Sequence, residues 1–207
     1  MDIKNEQTTE QVILEVAERL FLEKGYALTS TTQIAKEVGC NQALIHYYFR
    51  TKENLFNVIF EKKFKIFFQG IFEKQNMGNI QFTDKLRFVI ESHFDLLKNN
   101  PRIPTLILNE LSRQPEQIKI LREKLHEIPE QLFAELNTEL QTEIANGRIR
   151  NISLIDLVTS MISLNVALFV MMPVVEKILP LSETQKEQMI AHRRIENVEF
   201  ILNSLRP

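Results

Sequence analysis

The stretch STTQIAKEVGCNQALIHYYFRTKENL, residues 30–55, decides how the chain folds. Ser30 and Gln33 stand at capping-box spacing, so a helix starts at Thr31. Ile34, Ala35 and Val38 give that helix one apolar face, and Gly39 stops it. Asn41 is placed to cap a second helix, and Thr51 a third that begins at Lys52. Residues 31–49 therefore read as two short helices joined by a Gly39-Cys40-Asn41 turn, which is helix-turn-helix spacing. Short helical pairs with a glycine turn are common in all-α proteins, so the spacing alone does not assign a function.

The helix after the turn carries His46, Tyr47, Tyr48 and Phe49 in succession, and four consecutive rings cannot all face a core. At about 100° per residue, Ile45 and Phe49 fall together and form the core edge. Ala43 and Tyr47 lie opposite them, with Gln42 and His46 on one flank and Leu44 and Tyr48 on the other. The outward face thus sets amide, imidazole and phenol groups around the small Ala43. Such a face suits close approach to the major groove, whose base edges offer both donors and acceptors. Phosphates need partners too. Thr31 and Thr32 open a helix whose first free N–H groups attract anions, Lys52 opens the helix after the ring-rich one, and the Tyr48 hydroxyl can reach outward. The other use for such a face is packing against a partner protein.

Outward from this stretch the pattern stays helical. Val12, Ile13, Val16, Ala17, Leu20 and Phe21 stripe a helix from about Thr9 to Lys24, with Gly25 just past its end. Downstream the helices lengthen. They are expected at Lys52 to about Gln75, Thr83 to Asn99, roughly 105–113, Pro115 to Asn146, Ser153 to about Ile178, and from a Ser182/Gln185 capping box to Leu202. About nine helices and no strand make the chain all-α. A helix-turn-helix head of three helices occupies residues 1–51, and a larger helical domain occupies 52–207.

Composition narrows the class. With 207 residues, 44% of them hydrophobic, there is ample material for a core. A net charge of −2 argues against a general polyanion binder but allows a local basic surface. One cysteine, Cys40, excludes an internal disulfide, and MDIKNEQTTEQ is no signal peptide, so a cytoplasmic protein is expected. Leu157 to Val175 is uncharged and long enough to span a bilayer. It carries Thr159, Ser160, Ser163 and Asn165 and lacks a flanking Lys/Arg cluster, so a buried helix and no membrane association are expected.

The body offers candidates for a ligand. Leu86, Val89, Ile90, His93, Phe94 and Leu97 share one stripe, with His93 as its polar member. A histidine there is either a satisfied core residue or the contact for a ligand's polar group. Phe64, Phe67 and Phe68 crowd the helix from Lys52, and Met161, Asn165 and Phe169 share a face of the apolar helix. Aromatic stripes at helical spacing are usually core, yet Phe and Met are also what a cavity for an apolar or aromatic effector draws on. Met161 to Met172 is apolar nearly all round, and pairing it with Met189, Ile195, Val198 and Leu202 would build a homodimer through the last two helices. His46, His93, His126 and His192 are scattered, without HExxH, paired-cysteine spacing or a nucleophile elbow. No enzyme activity, metal or cofactor is expected.

Residues 10–56 resemble the DNA-binding head of the tetracycline-repressor (TetR) family, through LFLEKGY, STTQIAKEVG, IHYYF and TKENLF at matching spacing. The resemblance implies a transcriptional regulator, by family habit a repressor, whose head binds palindromic operator DNA as a homodimer and whose body binds a small, largely apolar effector that releases it. Carried over by position, it implies that Gln42, Ala43, Leu44 and His46 approach bases while Thr31, Thr32, Tyr47, Tyr48 and Lys52 hold the backbone. His46, Asn41 and Cys40 depart from the usual tyrosine, serine and valine. The alternative is a helical interaction or accessory protein without effector response.

Overall fold

The chain is described by a computed structural model covering residues 8–73, 80–105, 108 and 127–207, with side chains for 8–62, 80–105, 108 and 133–207. These residues are helical wherever they are regular. They fall into two compact units, a head through Ile66 and a body that includes every described helix after residue 80.

The head starts with α1 (Thr9–Leu28), opened by a capping box in which Thr8 accepts from the Gln11 amide and the Gln11 side chain accepts from the Thr8 amide. Gly25 interrupts it. Its φ of 80° is one that glycine tolerates, but its ψ of 163° sends the chain along an extended path rather than into a left-handed cap. One more turn follows, and the Thr29 hydroxyl then donates to the Leu20 and Gly25 carbonyls at 3.2 and 2.9 Å. These bonds tie the residue after the last turn back to the helix before the break and to Gly25 itself.

Next come α2 (Thr31–Val38), α3 (Gln42–Phe49) and α4 (Lys52–Glu73). Ser30 accepts from the Gln33 amide, Asn41 from Ala43 and Thr51 from Asn54, so all three expected caps form. Gly39 closes α2 in the left-handed region with φ 75° and ψ 27°. The head's core joins Ile13, Ala17, Leu20 and Phe21 to Ile34, Ile45 and Phe49, and to Leu55, Phe56 and Ile59 of α4. Phe21, Tyr26 and Phe56 meet edge-on or tilted, at centroid separations of 5.0–5.8 Å. Cys40 packs partly buried against this core as a small apolar side chain. Across the surface, Arg19 of α1 pairs with Glu37 of α2, and the guanidinium lowers the Glu37 carboxyl below its usual range.

The body contains α5 (Phe82–Asn99), α6 (Glu127–Ala145), α7 (Leu154–Ile178) and α8 (Glu183–Ser204). The helix expected at about 105–113 and the start of the long helix from Pro115 lie largely outside the described residues. α5 begins one residue before the expected start at Thr83, because Phe82 is drawn into the core and Gln81 holds the cap position without a side-chain bond. Ser153 caps α7, and Ser182 and Gln185 form the full box at α8. Phe82, Leu86, Val89 and Ile90 pack against Leu136, Leu140, Leu157, Met161, Val198 and Ile201. Burying each such side chain contributes about 1.5–3 kcal/mol. Paired charges tie α5 to α8: Arg194 grips Asp95 with two bonds of 2.8 Å, and Arg87 meets Glu199 at 2.9 Å.

α7 is the segment with the length and composition of a membrane span, yet it has two distinct sides. Leu157, Met161, Asn165, Phe169 and Met172 face into the body. The other side carries Thr159, Ser163, Ala167, Val174 and Ile178, all exposed, and only 22% of the helix's most apolar stretch is buried within the chain. On α8, Ile195 and Phe200 are likewise exposed. Val198, which the sequence offered for the subunit interface, turns the opposite way and is fully buried in the body's own core.

Candidate DNA interface and effector site

α3 stands on Ile45 and Phe49, 1% and 5% exposed, and these anchors fix which way its remaining side chains point. Ala43, Leu44, His46, Tyr47 and Tyr48 are exposed and Gln42 is half-buried beside α2. The Tyr47 and Tyr48 rings meet edge-on at 5.2 Å, which holds two phenols side by side on the outer surface. Ile45 and Phe49 are four residues apart, one helical turn, and that spacing made the division of α3 legible from sequence.

The polar groups of this face are already connected. The Thr32 hydroxyl donates to Gln42 Oε1 at 3.1 Å, and Gln42 Nε2 donates to Thr31 Oγ1 at 2.9 Å. His46 Nδ1 donates to the Arg50 carbonyl at 3.0 Å, and its Nε2 lies 3.4 Å from Gln42 Nε2. Thr31 and Thr32 occupy the first turn of α2, where backbone N–H groups lack helical partners. Arg50 was not singled out in the sequence. It ends α3 with φ 64°, a positive value unusual for arginine, and nothing in the residue type announces it.

Lys52 is more committed than its position at a helix start suggested. Its ammonium donates to the carbonyls of Tyr26 and Thr29 at 2.9 and 3.0 Å and sits 4.1 Å above the Tyr26 ring. Of three ammonium donors, one is left for a phosphate.

In the body, the structure brings four effector candidates together. Asn165, fully buried, donates from Nδ2 to the Ile90 carbonyl and to His93 Nδ1, both at 3.0 Å. Its Oδ1 accepts from Asn197 Nδ2 at 2.9 Å, and Asn197 Oδ1 accepts from Arg193 at 2.8 Å. Phe94 and Phe169 pack beside this chain at 5.3 Å, with Leu97. Met161 shares the inward stripe of α7 but belongs to the larger core cluster. Phe64, Phe67 and Phe68 lie outside the residues whose side chains are described.

Burial lowers His93 to a pKa of about 4, so it is neutral at physiological pH. Accepting at Nδ1 places its proton on Nε2. Asn197 escaped the sequence reading because its neighbours on α8, Arg193, Arg194 and Glu196, look like a solvated face. The usable signal was its place beside Val198 and one turn before Ile201.

Residues 13–59 match the family described as bacterial regulatory proteins, tetR family. Ile13 and Ile59, the ends of that match, are also the first and last buried residues of the head's core among the described residues. The head of this chain is thus similar to the TetR family's. The likeness runs further along the chain, which is 28% identical over 138 residues to the fatty acid metabolism regulator protein of Bacillus subtilis, covering 67% of this chain and 69% of that one. A shorter match, 33% over 82 residues, reaches the transcriptional regulator AcrR of Shigella flexneri, spanning 40% of this chain and 34% of AcrR. The fold extends over the whole length of the B. subtilis transcriptional regulator FadR in complex with stearoyl-CoA, with a TM-score of 0.68 at 20% identity, covering 94% of this chain and 98% of that one. The helix-turn-helix within the matched stretch is α2 and α3.

Proposed function

We propose that this protein is a transcriptional regulator that binds palindromic operator DNA as a homodimer, represses transcription there, and is released by a largely apolar effector bound in the body. The observation that carries the DNA reading is the outward face of α3. Amide, imidazole and phenol groups surround Ala43 on a helix whose other side is locked by Ile45 and Phe49. Gln42, Ala43, Leu44 and His46 approach base edges. Thr31, Thr32, Tyr47, Tyr48 and the remaining donor of Lys52 hold phosphates.

Dimerisation rests on the uncovered side of α7. Thr159, Ser163 and Ala167 leave room for a close approach, while Val174, Ile178 and Phe200 of α8 supply apolar area. Two copies related by a two-fold axis would cover that face and set two reading helices against two half-sites. Residues 1–51 then form the reading head and 52–207 the effector and dimerisation domain, in a cytoplasmic protein without enzyme activity. A dimer seated on an operator competes with polymerase, and that is the physical basis of repression.

For the effector, the chemistry to test first is a long-chain acyl thioester, since a B. subtilis relative is a fatty acid metabolism regulator and a FadR of the same fold binds stearoyl-CoA. Phe94, Phe169 and Met161 suit an apolar chain, and His93 with Asn165 suits a polar group. Helix α4 is the covalent route from the head towards the body. By linkage, an effector that lowers operator affinity must itself bind less tightly when operator is present, by the same factor.

Selection of bound sequences from random DNA tests the first part. An inverted repeat with half-sites about one helical turn (~34–36 Å) apart, or a multiple of it, is expected. Isothermal titration with stearoyl-CoA, with and without that operator, tests the second. A helical interaction protein, the alternative reading, would return no enriched motif.

A further inference from the structure

Gln42 is held at both atoms of its amide in the free head. Oε1 accepts from Thr32, while Nε2 donates to Thr31 and leans towards His46. The polarity of this chain is set from its far end. The Arg50 carbonyl can only accept, so the His46 Nδ1 beside it carries the proton. In the neutral ring Nε2 is then the acceptor. That turns the amide nitrogen of Gln42 towards His46 and Thr31 and its oxygen towards Thr32. Both N–H bonds of the amide are thereby engaged. Among the described residues Oε1 accepts only from Thr32, which leaves one lone pair for an outside donor.

We propose that Thr31 and Thr32 form a clamp that restricts Gln42 to accepting a hydrogen bond. The base it reads is then one with an exocyclic amino group in the major groove, cytosine or adenine. This rests on the reading of α3 as the base-contacting helix. An unclamped glutamine recognises adenine with two bonds, donating to N7 and accepting from the N6 amine. The clamped amide has no N–H to give N7, so adenine loses its advantage over cytosine. Guanine and thymine present only acceptors on that edge and are refused. A threonine that merely touched phosphate would carry no such sequence information. Thr31 and Thr32 are therefore positioning residues for specificity, besides lying where α2 attracts a phosphate.

The test is a random-sequence selection with binding isotherms on the intact protein, for the wild type and the variants Gln42→Ala, Thr31→Val, Thr32→Val and Thr32→Ser. The wild type should show one position occupied by adenine or cytosine alike, favoured about tenfold over guanine and thymine. Gln42→Ala should erase that preference. Thr31→Val frees an N–H and should move the position to adenine alone. Thr32→Val should broaden it, and Thr32→Ser, which keeps the hydroxyl, should restore the wild-type pattern. Guanine or thymine at the Gln42-dependent position would overturn the clamp. So would threonine variants that weaken all sequences equally while Gln42→Ala still relaxes one position. If Gln42→Ala leaves every position unchanged, the base-reading role of Gln42 is wrong and the clamp falls with it.

Discussion

Acidification should destabilise this protein through one buried ring. His93 is 7% exposed and accepts from Asn165, and burial takes its pKa from the usual 6.5 to about 4. Above about pH 6.5 the imidazole is neutral in both folded and unfolded chains, so it adds no pH dependence. As pH falls from 6.5 to 4 the unfolded chain takes up a proton that the folded body refuses. The folded state then loses about 1.4 kcal/mol per pH unit, up to about 3 kcal/mol in all, and the loss levels off below the folded pKa. Urea unfolding at pH 7, 6 and 5, at fixed protein concentration, measures it for the wild type and for His93→Gln, whose side-chain oxygen can still accept from Asn165. Surface carboxylates titrate in both proteins and cancel in the difference. Between pH 7 and 5 the wild type should lose about 2 kcal/mol more than the variant. Parallel pH profiles, or a His93 imidazole that titrates near 6.5 by NMR in the folded protein, would refute the reasoning.

Three further changes have worked-out directions. Replacing Lys52 by methionine removes two charge-assisted bonds to the Tyr26 and Thr29 carbonyls and the contact with the Tyr26 ring; the head should lose about 2 kcal/mol, read as an earlier melt, and a loss within 0.5 kcal/mol would sink the role assigned to it. Gly39→Ala meets no atom within 4 Å, so its cost is the left-handed backbone alone, about 1–2 kcal/mol by chemical denaturation; a cost above about 4 kcal/mol would mean that packing was misjudged. Ile178→Glu combined with Phe200→Glu places charge on the exposed sides of α7 and α8; sedimentation should show monomer with an unchanged helical signal, and a persistent dimer would move the subunit contact elsewhere.

The head was more legible than the body because its signals are local. Ser30, Gly39, Asn41 and Thr51 each act within three residues, and each sits where the sequence put it. The pair Ile45/Phe49 separated inside from outside on α3 for the same reason. Failures came where distant packing intervened. Phe82 pulls the start of α5 forward, and Val198 belongs to the core rather than to the surface suggested by its apolar neighbours on α8. No local rule could pair Asn197 with Asn165, since they lie 32 residues apart and meet only after α7 and α8 pack. Nor could spacing tell that Lys52 reaches back 26 residues to Tyr26. His93 and Asn165 were each legible as polar residues on apolar stripes, whereas their bond to each other was not.

The grip of Lys52 on the elbow between α1 and α2 has a mechanical meaning. Lys52 is the first residue of α4, and the Thr29 carbonyl it holds lies one peptide before Ser30, the cap of α2, and two residues before Thr31. The first turn of α4 and the segment leading into α2 are thus tied together through one ammonium. A roll of α4 larger than the Lys52 side chain can absorb would pull on the segment that leads into α2 or break one of these bonds. The α2–α3 pair would swing as one lever rather than deform, carrying the clamped Gln42 with it. If α3 reads an operator as proposed, a roll of α4 that stays coupled through Lys52 would turn that face without any need to melt the helix.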